Sequence, residues 1–202
     1  AQILPKAIRR FRVTTDSRQT KASPNLIHRD FTSEHPNDLW LSDITYIPTR
    51  EGWLYLAAVL DAYSRALAGW AMSRTLDTKL AMDALNMAIA HRGPPVTLHS
   101  DQGSTYATGS YREIVDRHGI RQNMSRKGDC WDNAPMESFF HTLKTELVMH
   151  CDYKTRDDAR VSLFDYMEVF YNRQRRHSSI SYEAPLPFEA MKSPGKVSTV
   201  RG

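Results

Sequence analysis

Three acidic residues stand where an acid is costly or exposed to chemistry: Asp43 inside the apolar run LWLSDITYI, Asp101 at the end of VTLHSD, and Glu137 in DNAPMESFFHTLKTEL. Strands disfavour Asp, and an unpaired charge in a central strand costs several kcal/mol unless it is paired or metal-bound. Asp101 precedes Gly103 at the carboxyl end of an expected strand, where open α/β sheets place ligands, although a turn acid would read the same way. Glu137 opens an expected helix, with Asp132 or Asn133 as cap and Pro135 in the first turn; its plainest role is to complement the helix dipole, worth about 0.3–1 kcal/mol. Three carboxylates brought to one point repel, so the arrangement calls for cations. Oxygen-only ligands select Mg²⁺ or Mn²⁺ over zinc. Two such ions about 3.5–4 Å apart can activate an attacking oxygen and stabilise the leaving oxygen of an in-line phosphoryl displacement. Lys144 lies two helical turns beyond Glu137 on the same face, within reach of a phosphate beside the ions; it would otherwise be a surface lysine.

The elements that must position these residues follow from periodicity. Residues 39–47, 53–61 and 65–73 are apolar and aromatic runs of strand length separated by turn sequences, which predicts a three-stranded antiparallel meander. Residues 76–92 place Met82, Leu85, Ala88 and Ile89 on one helical face and stop at Gly93-Pro94-Pro95. A short strand at 96–100, a helix near 110–118, a strand at 120–124, a helix from about Asn133 and a last helix over 156–173 complete the plan. That last helix stacks Ala159, Leu163, Tyr166, Met167 and Phe170. The pattern predicts an α/β fold with one mixed sheet flanked by helices. Residues 1–38 read as a basic irregular arm, 39–185 as the core, and 186–202 as a trailing tail.

A chain of 202 residues with 41% hydrophobic content can bury a substantial core. Its net charge of +4 is concentrated. Residues 1–30 hold seven basic side chains against Asp16 and Asp30, and Arg173, Arg175, Arg176 and His177 form a second knot. Such knots suit a polyanion, or simply a solvated surface. Cys130 and Cys151 make neither a disulfide framework nor a zinc site. No run reaches the length of a membrane span and no signal peptide is visible, which leads to the expectation of a soluble, intracellular protein.

Three motifs carry a specific resemblance: W-x-x-D-I-T-Y-I from Trp40, H-S-D-Q-G-S-x-Y from His99, and M-S-R-K-G-D-C-W-D-N-A-P-M-E-S-F-F-x-x-L-K-x-E from Met124. Over residues 14–189 the chain resembles the integrase-type transposases of bacterial insertion sequences, which share a ribonuclease H-like core with retroviral integrases. Thirty-five residues separate Asp101 from Glu137, the spacing of that family's Asp, Asp, Glu triad, and YNRQRRHSSISYEAP (171–185) is similar to its C-terminal block. The resemblance implies a ribonuclease H-like fold and a metal-dependent polynucleotidyl transferase that cleaves DNA ends and transfers strands. It implies that Asp43, Asp101 and Glu137 bind Mg²⁺ or Mn²⁺, as two ions. It also implies that Lys144 touches the DNA end, with Arg126, Lys127, His141, Arg173, Arg175, Arg176 and His177 as further DNA contacts. Element ends and target DNA are the implied partners, with self-association on DNA, in the bacterial cytoplasm at the nucleoid.

Ser104, Ser125 and Tyr106 read as packing or hydrogen-bonding groups, and His99 and His141 as candidate bases or ligands. Family members usually begin with a helix-turn-helix region or a partner that recognises the ends. The 38-residue arm is too short for such a module, so a shortened product or a core is expected. Two rival functions remain: a non-catalytic DNA-binding core, and a ribonuclease H-like nuclease acting on hybrids, against which the spacing and the HSSISYEAP block stand.

Overall fold

Side chains of β1 (Leu39–Thr49) alternate between two apolar environments, with Leu39, Leu41 and Ile47 in one and Trp40 in the other. A computed structural model shows this for a chain in which residues 31–101, 103–124 and 133–192 are described. β1 pairs antiparallel with β2 (Gly52–Asp61), which pairs antiparallel with β3 (Leu67–Ser73), as the turn sequences predicted. On its other side β1 pairs parallel with β4 (Thr97–Ser100), and β4 with β5 (Arg121–Met124). The order β3-β2-β1-β4-β5 puts β1 at the centre of a mixed five-stranded sheet. The parallel pairings need crossovers, and helices supply them. These are α1 (Thr78–Arg92), capped by Asp77 on the Leu80 N–H at 3.1 Å, and α2 (Gly109–Arg117), capped by Thr108.

α1 and α2 cover the face holding Trp40, Val59, Leu98 and Met124. The opposite face packs against α3 (Ala134–Glu146) and α4 (Arg156–Phe164). α1 sits so close to β3 that a Cβ on Gly69 would lie 2.5 Å from the Ala88 amide nitrogen and 2.6 Å from the Ala84 carbonyl oxygen. The buried face of α1 is therefore Leu80, Ala81, Ala84, Leu85 and Ala88. Met82 and Ile89, expected on that face, pack at its flank, because alanines allow the close approach and larger side chains do not.

α4 opens with a capping box between Thr155 and Asp158 and continues into a π-helical turn, Asp165–Tyr171. There the Asn172 N–H reaches the Met167 carbonyl, five residues back, at 3.1 Å. The wider turn inserts one residue into the helical count. Tyr171 consequently takes the inward position expected of Phe170, which is 41% exposed.

The C-terminal segment also differs from expectation. Residues 185–192 form α5 (Pro185–Lys192), docked on the body of the protein and not trailing from it. Glu189 holds Arg92 and the Ser64 hydroxyl, Phe188 packs on Tyr63 at 5.3 Å, and the Leu186 N–H donates to Asn172. The anchor is Asp61, wholly buried at the end of β2, which lies 3.8 Å from the Arg92 guanidinium and accepts from the Asn37 and Tyr63 N–H groups. A buried carboxylate of this kind requires a cation, and Arg92 in turn draws in Glu189. Residues 31–38 contain no helix or strand, and the basic stretch 1–30 lies outside the described residues. No helix among the described residues is long and apolar enough to cross a membrane.

Candidate active site

β1 and β4 run side by side in register, Leu39 opposite Thr97 through Ser42 opposite Ser100. Asp43 and Asp101 are the residues that immediately follow the last pair, and the Asp101 charge acts on the Asp43 carboxyl. Adjacent strands lie about 4.8 Å apart, so two acids distant in sequence become neighbours at the carboxyl end of a parallel pair. β4 stops here, whereas β1 continues with β2 to Thr49. The Ile44 N–H then donates to Asp43 Oδ1 at 2.7 Å, which fixes that carboxylate.

The third acid arrives on α3. Asn133 occupies the cap position expected of it but makes no capping bond; its buried amide instead donates to the Ser42 carbonyl at 3.4 Å. That bond ties the start of α3 to the β1 residue preceding Asp43. Pro135 and Glu137 lie in the first turn, as the sequence predicted. Met136, Phe139, Phe140 and Leu143 are buried against the sheet, whereas Glu137 and His141 are exposed and Lys144 is partly so. Core packing of one helical face thus presents the other to the Asp43 cleft.

Electrostatics ties these groups together. The Asp43 carboxyl is pushed up to about 7, first by burial and then by the Asp101 charge. Glu137 raises it further, whereas the Ile44 N–H and the Lys144 ammonium pull it down. The Asp101 carboxyl is also raised, by burial, against the Gly103 N–H at 2.8 Å and His99, which lower it. Two neighbouring carboxyls held above their ordinary range, both by burial and Asp43 also by the Asp101 charge, suit a hard cation. Among the described residues, however, no three His, Cys, Asp or Glu side chains stand close enough to ligate one ion together. Asp43 and Asp101 are the close pair, and Glu137 is an exposed side chain one turn into a helix, at the rim of the cleft.

Other candidates separate clearly. Tyr106 is 2% exposed with its hydroxyl 3.2 Å from Ser42 Oγ, and burial raises its pKa well above the ordinary value; it is a core group and no nucleophile. His99 is buried and meets Phe31 edge-on at 5.8 Å. Arg126, Lys127 and Ser125 lie outside the described residues. In the C-terminal knot, Arg175 grips Glu146 with contacts of 2.6 and 2.9 Å, and Arg173 and Arg176 are exposed. Burial and the Arg175 and Arg65 charges depress His177 to about 4, so it is neutral at pH 7. Part of the expected charge of the knot is therefore already neutralised within the protein. Sequence reasoning missed Arg65, a left-handed residue in the β2–β3 turn, φ 64°, which lines a cavity of about 870 Å³ with Ser138, Thr142, Arg175 and His177. That cavity lies along the other flank of α3, away from Glu137. Nothing in the residue types around Arg65 signals it, because the turn conformation is what aims it.

Known proteins resemble this chain in sequence and in fold. Two families, both described as integrase core domain, match residues 33–130 and 118–185. The chain is 44% identical over 186 residues to a 31 kDa protein of insertion element IS600 from Shigella sonnei, covering 91% of this chain and 68% of that protein. It is also 44% identical over 172 residues to the transposase for insertion sequence element IS904 of Lactococcus lactis, covering 84% and 68%, respectively. A third relative, transposase InsF of IS3A from Escherichia coli K12, is 44% identical over 187 residues, covering 91% and 65%. The chain thus spans about two thirds of the length of these relatives. Among solved structures, a simian T-cell lymphotropic virus intasome in complex with a PP2A regulatory subunit superposes with TM-score 0.68 at 18% identity, covering 92% of this chain and 63% of that one. The HTLV-2 integrase catalytic core domain in complex with magnesium gives 0.61 at 16% identity, covering 78% and 99%. The fold is the ribonuclease H-like fold of integrase cores.

Proposed function

The chain belongs to the integrase core domain family, together with the transposases of bacterial insertion sequences, and on that footing we propose that it is the catalytic core of a DNA transposase. It cleaves phosphodiesters at element ends and joins the resulting 3′-hydroxyls to target DNA. The observation that supports this reading is the register of β1 and β4, from which Asp43 and Asp101 follow as the next residues, with the start of α3 tied to Ser42.

Each residue has a role that follows from its setting. Asp43 has one oxygen held by the Ile44 N–H and the other available to a cation. Asp101 turns back on Gly103 and contributes the adjacent oxygens. Glu137 makes no hydrogen bond or ion pair among the described residues, so its exposed side chain is able to turn toward the pair and complete an oxygen-only set. Bound there, Mg²⁺ or Mn²⁺, as two ions, would supply activation of the attacking oxygen and charge stabilisation at the leaving oxygen. Lys144, close enough for its charge to lower the Asp43 pKa, is placed to meet a phosphate of the bound strand. His141, one turn beyond Glu137, and the exposed Arg173 and Arg176 add backbone contacts, which position DNA without reading its bases. The protein assembles with further copies on DNA, in the bacterial cytoplasm at the nucleoid.

The test is cleavage and joining of labelled element-end DNA with Mg²⁺ or Mn²⁺, with an RNA–DNA hybrid as competing substrate. Asp43→Asn, Asp101→Asn and Glu137→Gln should each abolish both reactions while keeping the fold. Retention of more than a few per cent of activity by one variant would remove that residue from the site, and preferential cleavage of the hybrid would reassign the substrate.

A further inference from the structure

Tyr46 and Trp53 leave 54% and 49% of their surfaces exposed near the tip of the β1–β2 hairpin. Trp53 is the register partner of Pro48, itself exposed, and Tyr46 that of the half-buried Tyr55. The four residues share one face of the sheet. The Tyr46 and Trp53 rings meet edge to face at 4.9 Å, and the Lys144 ammonium stands 5.0 Å from the Tyr46 ring centroid. Nothing in the core requires these rings: the buried positions of the hairpin are Ile47, Leu54 and Leu56, which alternate with them.

A cation set over one ring of a half-exposed aromatic pair is the composition that single-stranded nucleic acid uses, because bases stack on the rings while the phosphates meet the charge. The position ties the patch to the acids. Tyr46 is three residues from Asp43 along β1, about 10 Å at ~3.3 Å per residue, and the odd offset turns it to the other face of the strand, so the path between them runs around the edge of β1 that β4 leaves beyond Ser42. Lys144 bridges the two, since its charge also acts on Asp43.

We propose that Tyr46 and Trp53 form a stacking platform for unpaired bases one to three nucleotides from the phosphodiester held at Asp43 and Asp101. The inference rests on the transposase reading for its substrate and adds the residues that hold the strand beside the cut. It requires that the end of the duplex be opened or frayed at the site, with the freed bases leaving their stack for the aromatic rings.

The experiment measures binding of the 202-residue chain in chelator, where cleavage is absent. The probes are an element-end duplex with a three-nucleotide single-stranded extension, the same duplex with abasic sites throughout the extension, and a blunt duplex. The wild-type protein should prefer the intact extension to the abasic one by roughly five- to a hundredfold, the range of aromatic stacking on bases. Tyr46→Ala and Trp53→Ala should lose most of that preference while binding the abasic duplex as wild type does. Trp53→Phe, which keeps a π face, should restore it. Equal weakening on intact and abasic extensions, or a wild-type protein indifferent to the bases, would overturn the platform. So would variants that alter sedimentation of the free protein and leave DNA binding unchanged, since the patch would then be covered by protein. A base-dependent protein that neither cleaves nor joins with Mg²⁺ would refute the catalytic reading alone. An active enzyme indifferent to both rings would refute the platform alone.

Discussion

Replacing Asp43 with Asn should stabilise the metal-free protein, and by an amount that depends on pH. An ordinary Asp titrates near 3.8, whereas the Asp43 carboxyl in the folded protein titrates at about 7 because of burial and the Asp101 and Glu137 charges. The folded state therefore binds a proton more tightly than the unfolded one. The stability linked to this group is fully present below pH 3.8 and is lost as pH rises through about 7. At about 1.4 kcal/mol per pH unit, the loss approaches ~4 kcal/mol above pH 7. That figure is an upper one, because Asp43 keeps partial contact with solvent and the unfolded chain is itself charged. Asn carries no titrating charge, and its amide oxygen accepts the Ile44 N–H as the carboxylate does. In a domain of this size 1 kcal/mol moves the midpoint by roughly 2–4 °C. The variant should thus melt up to about 8–16 °C above wild type at pH 8 in chelator, with the difference shrinking toward zero near pH 4. His177, depressed to about 4, and Asp61, raised by its burial, titrate in both proteins and cancel in the difference. Circular dichroism melts of both proteins at pH 4 through 8 supply the data. A difference that is flat with pH, or that grows toward acid, would mean that the Asp43 carboxyl is not raised by burial and the neighbouring acids, and the cation site would lose its physical basis.

Other predictions follow from the same geometry. Mg²⁺ at a hundredfold excess over its Kd should stabilise wild type by about 2.7 kcal/mol, or roughly 5–10 °C, and Asp43→Asn should lose most of that shift; equal shifts in the two proteins would place the ion elsewhere. DNA affinity should fall with salt at a slope of roughly −0.9 per contacted phosphate, and Lys144→Ala or Arg176→Ala should flatten it by about one contact each; an unchanged slope would take that residue off the DNA. Arg175→Ala should instead cost stability, because it strips Glu146 of its cationic partner and leaves it the Tyr166 hydroxyl alone, and a melting point equal to wild type would refute this. Gly69→Ala should destabilise by about 1–3 kcal/mol or more, since the added methyl meets the α1 backbone and no flexible side chain can yield; a thermal melt within 1 °C of wild type would contradict so close an approach.

Much of this architecture was legible because apolar periodicity and turn residues state it locally. Three strands, α1 and its Gly93 stop, and the helix that carries Glu137 follow from residues next to one another in sequence. What was hidden depends on partners far along the chain. Phe170 and Tyr171 exchange roles because a π turn inserts one residue, and no side chain in that turn signals it. The helix at 185–192 was missed because its docking depends on Glu189 meeting Arg92, itself drawn to the buried Asp61. Asp61 resembles Asp43 in sequence, each an acid in an apolar strand. Only the structure separates them, since Asp61 has a guanidinium close by whereas Asp43 faces other carboxylates. The basic knot at 173–177 was visible as composition, but the grip of Arg175 on Glu146 and the neutrality of His177 come from packing.

The site is built so that its three acids are held with unequal firmness. Asp43 lies in the central strand, paired with β2 on one side and emerging from β4 on the other. A slip of one residue would turn its side chain to the Trp40 face and exchange Leu41 and Trp40 between two differently packed cores, so the register is protected by the whole core. Asp101 is the first residue past β4 and owes its direction to one bond with the Gly103 N–H. Glu137 stands on a helix whose other face is pinned by Met136, Phe139 and Leu143, yet its own side chain is exposed and unbonded among the described residues. The rigid acid is the one most raised in pKa, and the free one is the one whose approach would complete the ligand set. Strain in the metal-free protein therefore resides mainly on Asp43, and relief depends on Glu137. Stability should accordingly respond to the charge at position 43 whether or not metal is present, whereas Glu137→Gln should leave the metal-free protein nearly unchanged and act chiefly on metal affinity. The contrast follows from where each carboxylate is held, with the metal preference of all three taken as the same.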